Sequence, residues 1–283
     1  MRALVRTTAD ADKLQTLQKI GAAITTVDFS NLSTLSTAMQ GASCVISALS
    51  GLREVIIDTQ THLLEAAVEA NVPRFISSDF SIDYTKLPDG SNRNLDLRRE
   101  FSKIADQVSA TKPISVTTTF NGAFMDMLTG QAPIILFKFK RVLFWGDADQ
   151  KMDFTTIDNT ASFTASAALD ANTPRHLHIA GDLVSARDLA DTVSQITLNR
   201  YRLMRAGSLS NLATFIKIAR FIAPKTSELY PPWQGMQYLH DMFGGSALPG
   251  DLDNDRYTDI GWTNVRQFLI QSRSVGSPPF TAL

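Results

Sequence analysis

The sequence predicts an α/β protein built on a doubly wound parallel sheet. Three observations carry that prediction. Short apolar, β-prone runs alternate with helical runs from residue 1 to about residue 122. The spacing between successive strands leaves room for helical, right-handed crossovers. Several strands also end abruptly in polar residues, at the carboxyl ends where open parallel sheets bind ligands. The sharpest case is Val72-Pro73-Arg74-Phe75-Ile76-Ser77-Ser78-Asp79-Phe80, a short buried strand delivering two serines and an aspartate. Ser77, Ser78 and Asp79 either belong to a site or simply turn the chain and cap the next element.

Each element has its own signal. Met1 to Arg6 reads as a strand, and a helix comes next from about Asp10 to Ile20, with Gly21 as its C-cap. Ala22 to Val27 is the next strand, ending at Asp28-Phe29-Ser30; a short helix runs from Leu32 to Gln40. Ala42 to Leu49 reads as a strand buried on both faces, and Gly51 opens a helix to Ala70. Asn71-Val72-Pro73 breaks that helix before the Ser-Ser-Asp strand. A polar loop from Ser81 to Asn92 leads to a helix from Leu95 to Gln107; Pro113 to Phe120 is the next strand, ending at Asn121-Gly122.

From Ala123 the rhythm changes. A short helix is expected at Phe124–Leu128, then apolar runs at Ile134–Phe139 and Val142–Trp145. A helix is expected over Phe154–Asp170 with Asp158 as cap, and a strand over His176–Ala180. Ser185 and Asp188 suit a capping box opening a helix to Thr197. Tyr201–Arg205 reads as a strand, and helices near Leu209–Ile222 and Trp262–Gln271 bracket a loop rich in Pro, Gly, Trp and Asp. Residues 1–122 are therefore read as a nucleotide-binding lobe and 123–283 as a smaller α+β substrate lobe.

Composition bounds the function. The 283 residues are 44% hydrophobic and 19% charged, with a net charge of −1. Such a balance suggests neither a nucleic acid nor a membrane surface as partner. The single cysteine, Cys44, excludes an internal disulfide framework and points to a reducing, cytoplasmic setting. The four histidines show no metal-ligand spacing, so no metal is expected; His176 and His178 alternate along one strand face and read as structural.

The blocks Arg2-Ala3-Leu4-Val5-Arg6, Val27-Asp28-Phe29-Ser30, Ile46-Ser47-Ala48-Leu49 and Pro73 to Phe80 resemble strand ends of the NmrA-like group of atypical short-chain dehydrogenases. That group includes the isoflavone reductase and aromatic alcohol reductase branch. Phe120 to Phe124, Met152 to Asn159 and Ile179-Ala180-Gly181-Asp182 with Ser185 to Ala190 are similar to its later blocks. The resemblance implies a Rossmann-type fold, NADP(H) as cofactor and reduction of a small, possibly aromatic, carbonyl or ene substrate. A non-catalytic NADP-sensing regulator that binds a protein partner is the alternative it leaves open, along with an inactive truncated form.

Two departures stand out. The family opens with a strand, a glycine-rich turn and a helix before the strand that here starts at Met1. No three glycines of the chain have that turn's spacing. The turn and the helix N-terminus hold the pyrophosphate, so this chain taken by itself is expected to bind NADPH weakly. In the order 3-2-1-4-5-6 the first strand is central, and its neighbours lose their shared partner without it. The reductase branch also uses a lysine on the helix after the fifth strand. Leu95 to Glu100 offers Arg98 and Arg99 instead. These arginines form either a solvated face with Asp96 and Glu100 or part of a site.

The expected cofactor contacts are Arg6 and Lys13 for the 2′-phosphate, with Asp28, Phe29, Leu49, Ser77, Ser78, Phe120 and Asn121 at successive strand ends. Arg6 could equally be a plain surface residue. Tyr84 and Arg98 are the expected catalytic pair, because a tyrosine releases a proton if a cation lowers its pKa, whereas arginine alone is a poor donor.

Overall fold

The computed structural model describes residues 1–274, which fold into two compact units. The first comprises 1–78, 100–118 and 168–175; the second comprises 79–99, 119–167 and 176 onward. Residues 79–99, which the sequence places with the nucleotide-binding lobe, thus pack with the second unit.

In the first unit β1 (Arg2–Val5), α1 (Ala11–Lys19), β2 (Ala23–Thr26) and α2 (Leu32–Met39) come in order. Asp10 caps α1 by accepting from the Asp12 and Lys13 N–H groups, and Asn31 caps α2 through Thr34. Gly21 ends the first βα step at φ +81°, a conformation that costs glycine nothing. β3 (Val45–Ile46) leads through a widened helical turn, Glu54–Thr59, into α3 (Gln60–Glu69). β4 (Arg74–Ile76), α4 (Arg93–Thr111) and β5 (Ser115–Phe120) complete the series. β3, β4 and β5 pair in parallel, and so do β1 and β2.

Among the described residues β1 pairs only with β2, and the ladder that contains β4 stops at β3. The parallel sheet is therefore in two parts. The strand expected over 42–49 is reduced to Val45–Ile46, and Ile46 is 44% exposed rather than buried on both faces. A strand lacking a neighbour on one edge holds neither its hydrogen bonds nor its burial there. Helix α1 likewise buries no residue. The core of this unit lies around β4 instead, where Phe75 and Phe101 are fully buried with ring centroids 6.4 Å apart. Each contributes about 2–3 kcal/mol by burial.

The second unit holds β6 (Ala123–Phe124), β7 (Ile135–Leu136), β8 (Arg141–Trp145), β9 (Lys151–Thr155), α5 (Ile157–Leu169), β10 (His176–His178), β11 (Asp182–Ser185), α6 (Ala186–Thr197), β12 (Arg202–Gly207), α7 (Leu209–Ile222), α8 (Pro232–Gly244) and α9 (Val265–Ser274). β11 and β6 flank β9, and β12 and β7 flank β8. Several expectations change here. The helix expected from Phe154 begins at Ile157, because Met152 and Phe154 alternate into the core as a strand. Its cap is Thr156, whose Oγ accepts from the Asn159 N–H at 3.0 Å, rather than Asp158. The short helix expected at Phe124–Leu128 is a tighter turn over Met125–Thr129. Part of the stretch expected as loop is α8, whose Pro232 sits at the first helical position, where its missing N–H costs nothing. The capping box of Ser185 and Asp188 forms as the sequence indicates.

Candidate active site

In the first unit the strand ends converge in pairs. Arg6 and Phe29 close β1 and β2, and the exposed guanidinium lies 5.5 Å from the Phe29 ring centroid. Asp28 between them accepts from the Ser30 N–H at 2.9 Å and its hydroxyl at 2.7 Å, which lowers its pKa and fixes the turn. The Lys13 side chain is exposed on the first turn of α1. Ser78 donates its hydroxyl to the Leu49 carbonyl at 2.6 Å and its N–H to Gln60 Oε1 at 2.8 Å. Ser77 Oγ lies 3.0 Å from Thr118 Oγ1. The Ser-Ser pair thus ties β4 to its neighbours and fixes the loop at Leu49. Gln60, buried on α3, is the part of this arrangement that no sequence signal marks.

In the second unit a buried polar cluster forms where β5 ends. Tyr84 has no exposed surface; its hydroxyl donates to Asp79 Oδ2 at 3.1 Å and its ring meets Phe120 edge-on at 5.1 Å. Delivering a proton to a bound molecule would require this side chain to leave the core. Arg98 lies half-buried on α4 and donates to the Asn94 carbonyl at 3.3 Å. Arg99, rather than Arg98, grips the Tyr84 segment, donating to the Tyr84 and Leu87 carbonyls at 2.6 and 2.9 Å while pairing with Asp96 and Asp89. That fork geometry needs an arginine.

Phe120 also stacks against His176 and His178, at 5.6 and 5.1 Å. His178 Nε2 lies 3.1 Å from Asp83 Oδ2, and its backbone N–H donates to Asp253 Oδ2 at 2.8 Å. Asp83 accepts from the Thr85 N–H and hydroxyl at 3.0 and 2.5 Å, and Lys86 Nζ is 3.5 Å away. Burial opposes its ionisation, but the hydrogen bonds from His178 and Thr85 outweigh that and hold the carboxyl at about 2. Asp153 on β9 shows the opposite balance: burial dominates and pushes it up to about 6. The Asn121 N–H and carbonyl are used by Ser81 and Thr155, at 3.1 and 2.6 Å. Both side-chain amide atoms of Asn121 are buried and lack a partner among the described residues. Asp83, Lys86, Asp153 and His178 form a charged cluster that the sequence does not reveal. His178 reads there as structural, and Asp83 is 95 positions away from it.

The NmrA-like family profile matches residues 1–201 of the 283. The chain belongs to the NmrA-like family. This NmrA-like chain is 26% identical over 281 residues to a bifunctional pinoresinol-lariciresinol reductase of Linum usitatissimum, covering 92% of the chain and 86% of that protein. It is 30% identical over 163 residues to pinoresinol reductase 1 of Arabidopsis thaliana, covering 55% and 51%. In fold it is similar to a crystal structure of isoflavone reductase, with TM-score 0.79 at 19% identity over 96% of this chain and 90% of the other. It is similar too to AtPrR2 with NADP+ and (+)pinoresinol, with TM-score 0.75 at 20% identity over 95% and 89%. Among the described residues no His, Cys, Asp and Glu group has metal-site geometry, and no helix is long and apolar enough to cross a membrane.

Proposed function

We propose that this NmrA-like protein is an NADPH-dependent reductase of a small aromatic carbonyl or conjugated ene. The observation that carries the reading is the similarity, along most of both chains, to a pinoresinol-lariciresinol reductase. The cofactor fits the first unit at its phosphorylated adenosine end. Arg6 is exposed, has no carboxylate paired with it among the described residues, and stands beside an aromatic face. Such a group suits a 2′-phosphate, with Lys13 adding charge and Phe29 an adenine-sized surface. Leu49, Ser77 and Ser78 are the further cofactor contacts proposed within this unit. When bound, NADPH supplies a hydride.

Within the second unit, Phe120 is packed in the core against Tyr84, His176 and His178, and the Asn121 amide can hydrogen-bond a polar group brought to it. Tyr84 holds Asp79 from the core, and Arg98 carries a fixed positive charge on α4. Arginine in place of the branch's lysine favours one second reading, an NADP sensor without turnover. The test is consumption of NADPH with pinoresinol, aromatic aldehydes, quinones and enones, run beside NADPH binding monitored by fluorescence. Binding with turnover of any of them supports the reductase; binding without turnover supports the sensor; neither overturns both.

A further inference from the structure

We propose that His178, held by Asp83, supplies the proton that accompanies hydride transfer. This role rests on the reductase reading and names the group that does the work of the absent lysine. The geometry singles out this side chain. Asp83 and Tyr84 are buried, whereas the His178 side chain keeps 23% of its surface exposed. Its Nε2 is committed to Asp83, and Nδ1 has no hydrogen-bond partner among the described residues. Its ring packs on Phe120. Lys86 is a weaker candidate, because its Nζ already donates to the Leu248 carbonyl at 2.7 Å and faces Asp83.

The balance is simple. With NADPH bound, its dihydronicotinamide would supply a hydride to the carbonyl carbon and be oxidised to NADP+. The C=O π pair moves onto oxygen, and that oxygen takes the Nδ1 proton of the imidazolium. The neutral imidazole then regains a proton from solvent. Asp83 stays ionised throughout the working range and keeps the ring oriented through its contact with Nε2. The other groups facing His178 are Lys86 on the turn after Asp83, Asp153 on β9, Asp253 on the backbone N–H, and His176 on the same strand face.

The test uses the full chain and its His178→Gln, Asp83→Asn and Lys86→Met variants. Glutamine keeps the contact to Asp83 but cannot act as an acid at neutral pH. His178→Gln is expected to lower kcat about 100-fold, the usual scale for a general acid, with KM and NADPH binding little changed. The high-pH limb of kcat and the imidazole titration midpoint, read by NMR, are expected to move together. Both go to lower pH in Asp83→Asn, which removes a negative charge, and to higher pH in Lys86→Met, which removes a positive one. A merely structural histidine would not produce paired, opposite shifts. Turnover in the parent with undiminished kcat in His178→Gln overturns the donor role and spares the reductase reading. Unmoved limbs in a parent that turns over also overturn it. NADPH binding without turnover in the parent overturns the reductase reading and this role with it. The NMR titration of Asp83→Asn requires no activity, and an unmoved His178 midpoint there overturns the pairing itself.

Discussion

The carboxylate of Asp153 stands where a side chain at Gly122 would begin: an added Cβ would lie 2.6 Å from Asp153 Oδ2 and 2.5 Å from the Asp153 carbonyl oxygen. Gly122 holds φ +65°, so the position excludes other residues both by backbone conformation and by space. The neighbour cannot give way cheaply, because one of the two contacts is backbone of β9. Gly122→Ala is expected to cost roughly 2 kcal/mol or more from the strained backbone and the overpacking together. Chemical denaturation would read this as a lower midpoint with unchanged slope. A midpoint equal to the parent's would mean that β9 shifts freely.

The same carboxylate makes stability depend on pH. Asp153 is raised to about 6 in the folded chain, against about 3.9 when unfolded. Between those values the native state holds a proton that the unfolded state has lost, so stability falls as pH rises through the window. The two-unit difference corresponds to roughly 3 kcal/mol at most, present below pH ~4 and gone above pH ~6. Asp153→Asn keeps the shape without the charge. It is expected to be more stable than the parent at pH 7.5 and to lose that advantage by about pH 4. Thermal unfolding at the two pH values checks this; a parallel pH response in both proteins would contradict it.

How far these features are legible in the sequence depends on their range. The βα rhythm of 1–122 and the Ser185–Asp188 capping box are local, and periodicity or a four-residue spacing suffices to find them. The strand carrying Asp153 reads as the approach to a helix, because a charged residue between Met152 and Phe154 hides the alternation. The His178–Asp83 pair joins residues far apart in the chain, and no spacing rule finds it. Lys86 escapes a search for a lysine on the helix after β4, because it lies on the turn leading to that helix. Tyr84 is visible in the sequence as a polar aromatic beside the site, but only the packing of Phe120 against it shows that it is fully buried.

Arg6 gives the test of cofactor choice. Its guanidinium is exposed above Phe29, and the nearby Asp28 is spent on Ser30. A negative charge at position 6 would then face a 2′-phosphate with nothing between them but solvent. Arg6→Glu is expected to weaken NADPH by about tenfold or more, close to the 1.4 kcal/mol that a lost charge-assisted hydrogen bond contributes at the low end. NADH carries no phosphate there and is expected to change little. The effect on NADPH is expected to shrink in high salt, since an exposed pair is screened within ~10 Å at 0.1 M. Fluorescence titration of both cofactors at two salt concentrations reads all of this. Equal losses for NADPH and NADH would show that Arg6 supports the β1–β2 turn instead and that the 2′-phosphate is recognised elsewhere.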